Sequence, residues 1–167
     1  WFDDAAEKVG ADVMRWLYSK QDTTKELLFG WSPLKDEYRS LNVLWNFAKY
    51  ATTNFNMSKI PRKPLRIGSM GKWVLSKLET LKQEVTENLE KFTPHLAALA
   101  IEDFYLNTLS RGYGQMIRDD TSAEVNYVLY TAILDTLKLM APFVPFVTEK
   151  IYQEVYKNAG EESIHLF

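Results

Sequence analysis

"MGKWVLSKLETLKQEVTENLEKF", Met70 to Phe92, carries the most regular pattern in the chain. Trp73, Leu78, Leu81, Val85, Leu89 and Phe92 follow one another at intervals of three to five residues, and Lys72, Lys77, Lys82, Glu87 and Glu90 fall between them. That period gathers the apolar side chains on one face of an α-helix and the charges on the other. One such face cannot stay dry alone, so the segments on either side decide the fold class.

Downstream, "TPHLAALAIEDFYLNTLSRGYGQMIRD" opens a new helix, with Thr93 as its cap and Pro94 in its first turn. Ser122 caps the next one, which runs to Met140. "APFVPF" breaks it, and "VTEKIYQEVYKNAG" forms a last helix that Gly160 ends. Upstream, Ser32 as N-cap and Pro33 at the first helical position start a helix whose apolar stripe is Leu34, Tyr38, Leu41, Leu44, Trp45, Ala48 and Phe55. Between that helix and the opening stretch lies "NMSKIPRKPLRIGSMG", whose prolines and glycines read as an extended loop. The first residues give two short helices, Asp3 to Val9 and Asp12 to about Lys20. They are separated by Gly10, which can take φ > 0, and Asp12 is expected to cap the second. Strongly alternating runs are absent. The expected fold is all-α: about five long helices packed as a bundle, with a short helical preface.

Composition narrows the function classes. The 167 residues are 46% hydrophobic, enough for a substantial core. No apolar run is long enough to span a bilayer, and the acidic start "WFDDAAEK" has neither a signal-peptide pattern nor an initiator Met. The chain is therefore expected to be a piece of a longer cytoplasmic protein, monomeric and free of membrane. Without cysteine there is no disulfide, no Cys-ligated zinc and no thiol nucleophile. His95 and His165 lack partners at metal-ligand spacing, and adjacent pairs such as Glu102–Asp103 and Glu161–Glu162 diverge on a helix and read as solvated surface. "RGYGQ" is no phosphate loop, since no Lys-Ser/Thr follows it. The chain is not expected to catalyse a reaction or to hold a metal or cofactor.

One local feature stands against the net charge of −2. From Ser58 to Leu78 the chain carries Lys59, Arg62, Lys63, Arg66, Lys72 and Lys77 with no acidic residue among them, and Trp73 is interleaved. The preceding helix adds Arg39, Trp45, Lys49 and Tyr50. Cations beside aromatic rings suit a phosphate backbone with unstacked bases. A solvated loop on a helical protein-interaction or scaffold module is the competing reading.

The order of these pieces resembles the anticodon-binding helical bundle of class Ia aminoacyl-tRNA synthetases. "GADVMRW" looks like the Gly-Ala-Asp segment that leads into that bundle, and "SLNVLWNFAKYA" like its opening helix. "KWVLSKLETLKQEVTENLEKF" and "IEDFYLNTLSRGYGQMIRD" are similar to its second and third helices. "YVLYTAILDTLKLMAPFVPFVTEKIYQEV" is similar to its Pro-Phe-x-Pro-Phe signature, and "ESIHLF" to the tail that follows. Leu109, Ser110, Tyr113, Arg118 and Asp119 favour the isoleucyl branch, with the valyl branch second. "NMSK" at Asn56–Lys59 echoes part of the catalytic KMSKS loop but lies in the wrong place for it.

The resemblance implies residues 1–31 as a remnant of the stem-contact region, 32–158 as the bundle, and 159–167 as the start of a linker to a further C-terminal region. It implies tRNA as partner, most specifically tRNA(Ile), together with a catalytic domain of the same chain. ATP with magnesium would be used only by the full-length enzyme, which ligates isoleucine to its tRNA. The expected tRNA-facing residues are Arg39, Trp45, Asn46, Lys49, Tyr50, Arg62, Lys63, Arg66, Trp73, Arg111, Tyr113 and Arg118. Asn46 is among them because an amide can read a base edge as donor and acceptor. The sequence departs from the family at Gly112, where an aromatic is usual, and at Gln115, where Arg is common. Gly112 and Gly114 put the regularity of the third helix in doubt, since an interior glycine costs about 1 kcal/mol relative to alanine.

Overall fold

A computed structural model describes residues 2–156 and 161–167, and among them there is no β-strand. The preface is α1 (Phe2–Val9) and α2 (Ala11–Ser19). The bundle follows as α3 (Trp31–Asn54), α4 (Ser69–Glu90), and a third rod in which α5 (Pro94–Asp103) runs into a π-helical stretch (Phe104–Tyr113) and a short α6 (Gly114–Met116). It closes with α7 (Ala123–Met140) and α8 (Pro145–Val155). One core runs through these elements, with Trp16, Leu44, Leu78, Ile101, Leu129 and Tyr152 all within 1% of full burial. The expected end of the last helix at Gly160, and the expected start of a linker at residue 159, lie outside the described residues.

Several local readings hold. Ser122 Oγ accepts the Val125 N–H at 3.3 Å, a side-chain cap on α7. Pro94 is the first residue of α5, where its missing N–H leaves nothing unpaired. Thr93 precedes it, but its hydroxyl donates backwards to the Asn88 carbonyl at 3.0 Å instead of capping. The start of α3 differs as well. Gly30, not Ser32, is the cap residue, and Pro33 is the third residue of the helix, within its first turn. There it still costs no hydrogen bond, because the first four N–H groups of a helix lack internal partners. Tyr38, assigned to the apolar stripe of α3, is exposed, as are Leu89 and Phe92 of the α4 stripe.

The α4–α5 corner contains a strained residue. The Thr93 N–H reaches the Asn88 carbonyl at 2.8 Å and the Phe92 N–H reaches Leu89 at 3.1 Å, the double bond pattern of a helix ended by a left-handed residue. That residue is Phe92, with φ 56, and its ring is 90% exposed. Phe92→Gly is expected to stabilise the fold by about 1 kcal/mol, since a left-handed conformation costs an L-residue roughly 1–2 kcal/mol and glycine's greater freedom when unfolded cancels part of that gain. A urea midpoint that stays put or falls would count against this assignment of strain.

The Gly-Ala-Asp break does more than turn the chain. Gly10 has φ 87 and ends α1, and α2 begins at Ala11. Asp12, expected to cap its own helix, caps a distant one: its Oδ2 accepts the Val147 N–H at 2.6 Å in the first turn of α8. Arg15 Nε donates to the Phe143 carbonyl at 2.9 Å and Nη2 to the Pro142 carbonyl at 3.3 Å. Asp12 and Arg15 thus hold the two sides of the Pro-Phe-Val-Pro-Phe corner. Behind α8 the C-terminal residues dock in turn. Glu149 Oε2 accepts from Ser163 Oγ at 2.8 Å and from the Ile164 N–H at 3.0 Å, and Tyr152 donates to the Glu161 carbonyl at 2.7 Å.

A polar cluster sits inside the joint between preface and bundle. Glu102 of α5 accepts from Trp16 Nε1 at 3.2 Å, from Lys20 Nζ at 2.7 Å and from Ser40 Oγ. Lys20 also pairs with Glu37, and Ser40 with the Tyr105 hydroxyl. Glu102 is therefore not the solvated residue its sequence neighbourhood suggests. Asp103, one step round the helix, is the exposed member of the pair.

Candidate nucleic-acid interface

Loop 56–68 is pinned at both ends. Phe55 and Met57 are buried at its start, and at its end the Gly68 N–H donates to Glu124 Oε1 at 2.8 Å while Ile67 packs on the core. Between these anchors Lys59, Arg62, Lys63 and Arg66 are exposed, as are Lys72 and Lys77 on the first turns of α4. None of the six makes an ion pair or side-chain hydrogen bond among the described residues. Every other lysine from Lys20 to Lys150 except Lys35 has a carboxylate partner there. The asymmetry concentrates uncompensated positive charge on one edge of a chain of net charge −2.

The other expected contacts fall into separate groups. Tyr50, Arg111 and Arg118 come together at a cleft between α3 and the π-helical stretch. Trp73, partly exposed on α4, lies against the opposite side of that stretch: a Cβ at Gly112 would be 3.4 Å from its ring. Asn46 is exposed one turn before Tyr50.

Trp45 and Lys49 face elsewhere. Lys49 pairs with Glu154 of α8 and its Nζ lies 5.2 Å from the centre of the half-buried Trp45 ring, so both are engaged within the bundle. Arg39 is exposed and pairs with Asp36 at 3.0 Å. Tyr113 is corrected outright. It is 1% exposed, its phenol is pushed well above the usual range by burial, and it belongs to the core. An aromatic beside arginines reads as a stacking platform until the helix phase is known, and the π-helical stretch changes that phase.

Phe47, Ser110 and Gln115, none of them among the expected tRNA contacts, line the same cleft as Tyr50. The spacing Phe47–Tyr50, one turn of helix, was the available signal. Among the described residues no group of three or more His, Cys, Asp or Glu is placed to hold a metal ion, and no helix is long and apolar enough to cross a membrane.

The family described as "Anticodon-binding domain of tRNA ligase" matches residues 71–167. The chain belongs to this family. Curated relatives extend the likeness over α1–α3 and the basic loop. Isoleucine–tRNA ligase of Methanothrix thermoacetophila is 30% identical over 98% of this chain, that of Methanopyrus kandleri 33% over 98%, and that of Thermococcus kodakarensis 32% over 98%. The chain spans 17% of the length of each of these relatives. Among solved structures, the LeuRS of Agrobacterium radiobacter K84, in a ternary complex with tRNA and LeuAMS, superposes with a TM-score of 0.73 at 18% identity. The match covers 92% of this chain and 19% of that one. At that identity the likeness concerns the fold. As an anticodon-binding domain, the chain presents two separate features: the uncompensated loop and the Tyr50 cleft, with Trp73 against the other side of the π-helical stretch.

Proposed function

We propose that this chain is the tRNA-binding helical domain of an isoleucine–tRNA ligase and that it holds the anticodon arm of tRNA(Ile). The isoleucyl assignment, in preference to the valyl one, rests on the identity of the relatives that match nearly the whole chain. The observation that carries RNA binding is the set of six exposed cations from Lys59 to Lys77 that no carboxylate among the described residues neutralises. Phosphates are their natural counter-charges, and a loop pinned at Met57 and Gly68 presents them without a large ordering cost. Under this reading isoleucine activation with ATP and magnesium, and transfer to the tRNA, belong to a catalytic domain of the same enzyme. The helical domain contributes position and selection and forms no bond.

The test is a salt titration of binding to the tRNA(Ile) anticodon stem-loop. Each single-strand phosphate contact contributes about −0.7 to the slope of log affinity against log salt. Arg62→Ala with Lys63→Ala is expected to weaken every stem-loop alike and to flatten the slope by about 1.4, two contacts' worth. If affinity and slope both stay unchanged, the loop is not the tRNA surface and the scaffold reading takes its place.

A further inference from the structure

Another cleft opens where the α1–α2 break meets α3 and the first turn of α8. Leu41, Asn42 and Trp45 line it from α3, Val13 from α2 and Val147 from α8. Leu41 and Trp45 stand one turn apart on one face of α3. Phe47, which lines the Tyr50 cleft, is two residues past Trp45 and so about 200° round the helix. The two clefts are therefore separate, and this one owes nothing to RNA contact. Its volume is about 160 Å³, close to the roughly 150 Å³ of an apolar cavity that accepts benzene. A hydrocarbon of a few carbons fits such a space.

Asp12 stands in this largely apolar wall with one oxygen unused. Only 8% of the residue is exposed. Its Oδ2 accepts the Val147 N–H at 2.6 Å, whereas Oδ1 is buried and has no hydrogen-bond partner among the described residues. The cations nearby are engaged elsewhere. Arg15 donates to the Phe143 and Pro142 carbonyls, and Lys49, beside the Trp45 ring, pairs with Glu154. The Asn42 amide, which can donate and accept, makes no hydrogen bond among the described residues either. A buried carboxylate oxygen without a partner is unfavourable until a donor meets it, and a charged donor suits it best.

We propose that this cleft binds a primary ammonium ion on a short hydrocarbon stem, its N–H groups on Asp12 Oδ1 and the Asn42 amide oxygen and its carbons against Val13, Leu41 and the Trp45 ring. The charge of the ligand follows from the unpartnered carboxylate oxygen, and its size and apolar body follow from the walls. An aromatic ring beside a carboxylate is a favourable setting for such a cation. A free alkylamine and the side chain of a lysine on another polypeptide segment share this chemistry, and the test separates them.

The experiment follows the methyl resonances of Val13, Leu41 and Val147 while the chain is titrated, at constant ionic strength, with n-butylammonium, with n-butanol as its neutral counterpart and with butyrate as its anionic one. In the wild type, n-butylammonium is expected to shift all three residues saturably and to bind about tenfold more tightly than n-butanol, the scale of one hydrogen bond to a charged group. Butyrate should leave them in place. Asp12→Asn keeps an oxygen for Val147 but no charge, so the preference for the ammonium over the alcohol should vanish. Asn42→Ala, which leaves the α8 cap untouched, should weaken n-butylammonium severalfold. Equal affinity for ammonium and alcohol in the wild type would overturn the proposal without recourse to any variant, as would the absence of a saturable shift with n-butylammonium. A preference that survives in Asp12→Asn would overturn the assignment to Asp12. A parallel titration with N-acetyl-lysine methylamide names the source. Tighter binding than n-butylammonium supports a lysine side chain as the occupant, and weaker binding supports a free amine.

Discussion

Glu102→Ala is expected to cost about 3–5 kcal/mol, the range for breaking a buried charge pair by removing one partner. In a chain of this length that corresponds to a fall in melting temperature on the order of 10 °C. The reason is the number of donors that converge on one carboxylate. Its oxygens take the Trp16 indole N–H and the Lys20 ammonium from α2 and its C-cap, and the Ser40 hydroxyl from α3. Deleting it strands the indole N–H, which belongs to a fully buried tryptophan, and takes from Lys20 one of its two carboxylates.

Glu37→Gln is expected to behave in the opposite way. The cluster holds two carboxylates and one ammonium, so it carries one uncompensated negative charge. Burial raises the Glu37 pKa, Lys20 opposes that rise, and the neighbouring Glu102 charge adds to it. A carboxyl raised in the fold binds its proton more tightly there than in the unfolded chain. Its stabilising contribution is therefore complete at acid pH and lost as pH climbs from the ordinary carboxylate range through the raised value. Glutamine keeps the shape and removes that loss, so the Glu37→Gln melting temperature should gain on the wild type as pH rises from 4 to 7. An Glu102→Ala variant that melts within a degree of wild type, or a Glu37→Gln variant that loses ground with rising pH, would show that the cluster is not organised around Glu102.

These two residues also mark where the sequence stops being informative. The bundle was legible because its cause is local. Leu78, Leu81 and Val85 repeat at helical period and are buried, Ser122 caps the helix it precedes, and Pro61, Pro64 and Gly68 fall in the long loop between α3 and α4, although Gly71, read as part of that loop, is inside α4. What was not legible depends on a partner far away in sequence. Glu102 looks like half of a solvated pair until Trp16 and Lys20, more than eighty positions earlier, are placed against it. Tyr113 looks like an RNA platform until the π-helical stretch turns it inward. The six cations were legible as a cluster, whereas Lys49 and Arg39, equally basic in the sequence, are taken up by Glu154 and Asp36.

Asp12 extends the same lesson to an entire joint, and its replacement is the second large effect expected. Asp12→Ala removes the acceptor for the Val147 N–H, one of the first-turn donors of α8 that has no partner within its own helix. Hydrogen bonds to a charged group contribute about 1.5–3 kcal/mol, and a loss of about 2 kcal/mol is expected from this cap. Asp12→Asn separates the two properties of the side chain. Burial raises the Asp12 pKa, and the bonds from the Val147 and Phe146 N–H groups and the nearby Arg15 charge only partly oppose it. The ionised form is thus less favoured in the fold than in the unfolded chain, and Asp12 loses stabilising contribution as pH rises through its raised pKa. Asparagine retains an oxygen for Val147 and carries no charge to desolvate, so it should be tolerated far better than alanine, with a stability that varies less between pH 4 and 7. Because α8 also carries Glu149 and Tyr152, on which Ser163, Ile164 and Glu161 dock, loosening its first turn should release the C-terminal residues as well. Amide exchange is the measurement that sees this. In Asp12→Ala, faster exchange at Val147 and Ile164 together is the expected result, with Val85 in α4 less affected. Equal loss of protection in α4 and α8 would mean that Asp12 supports the whole fold and not this corner.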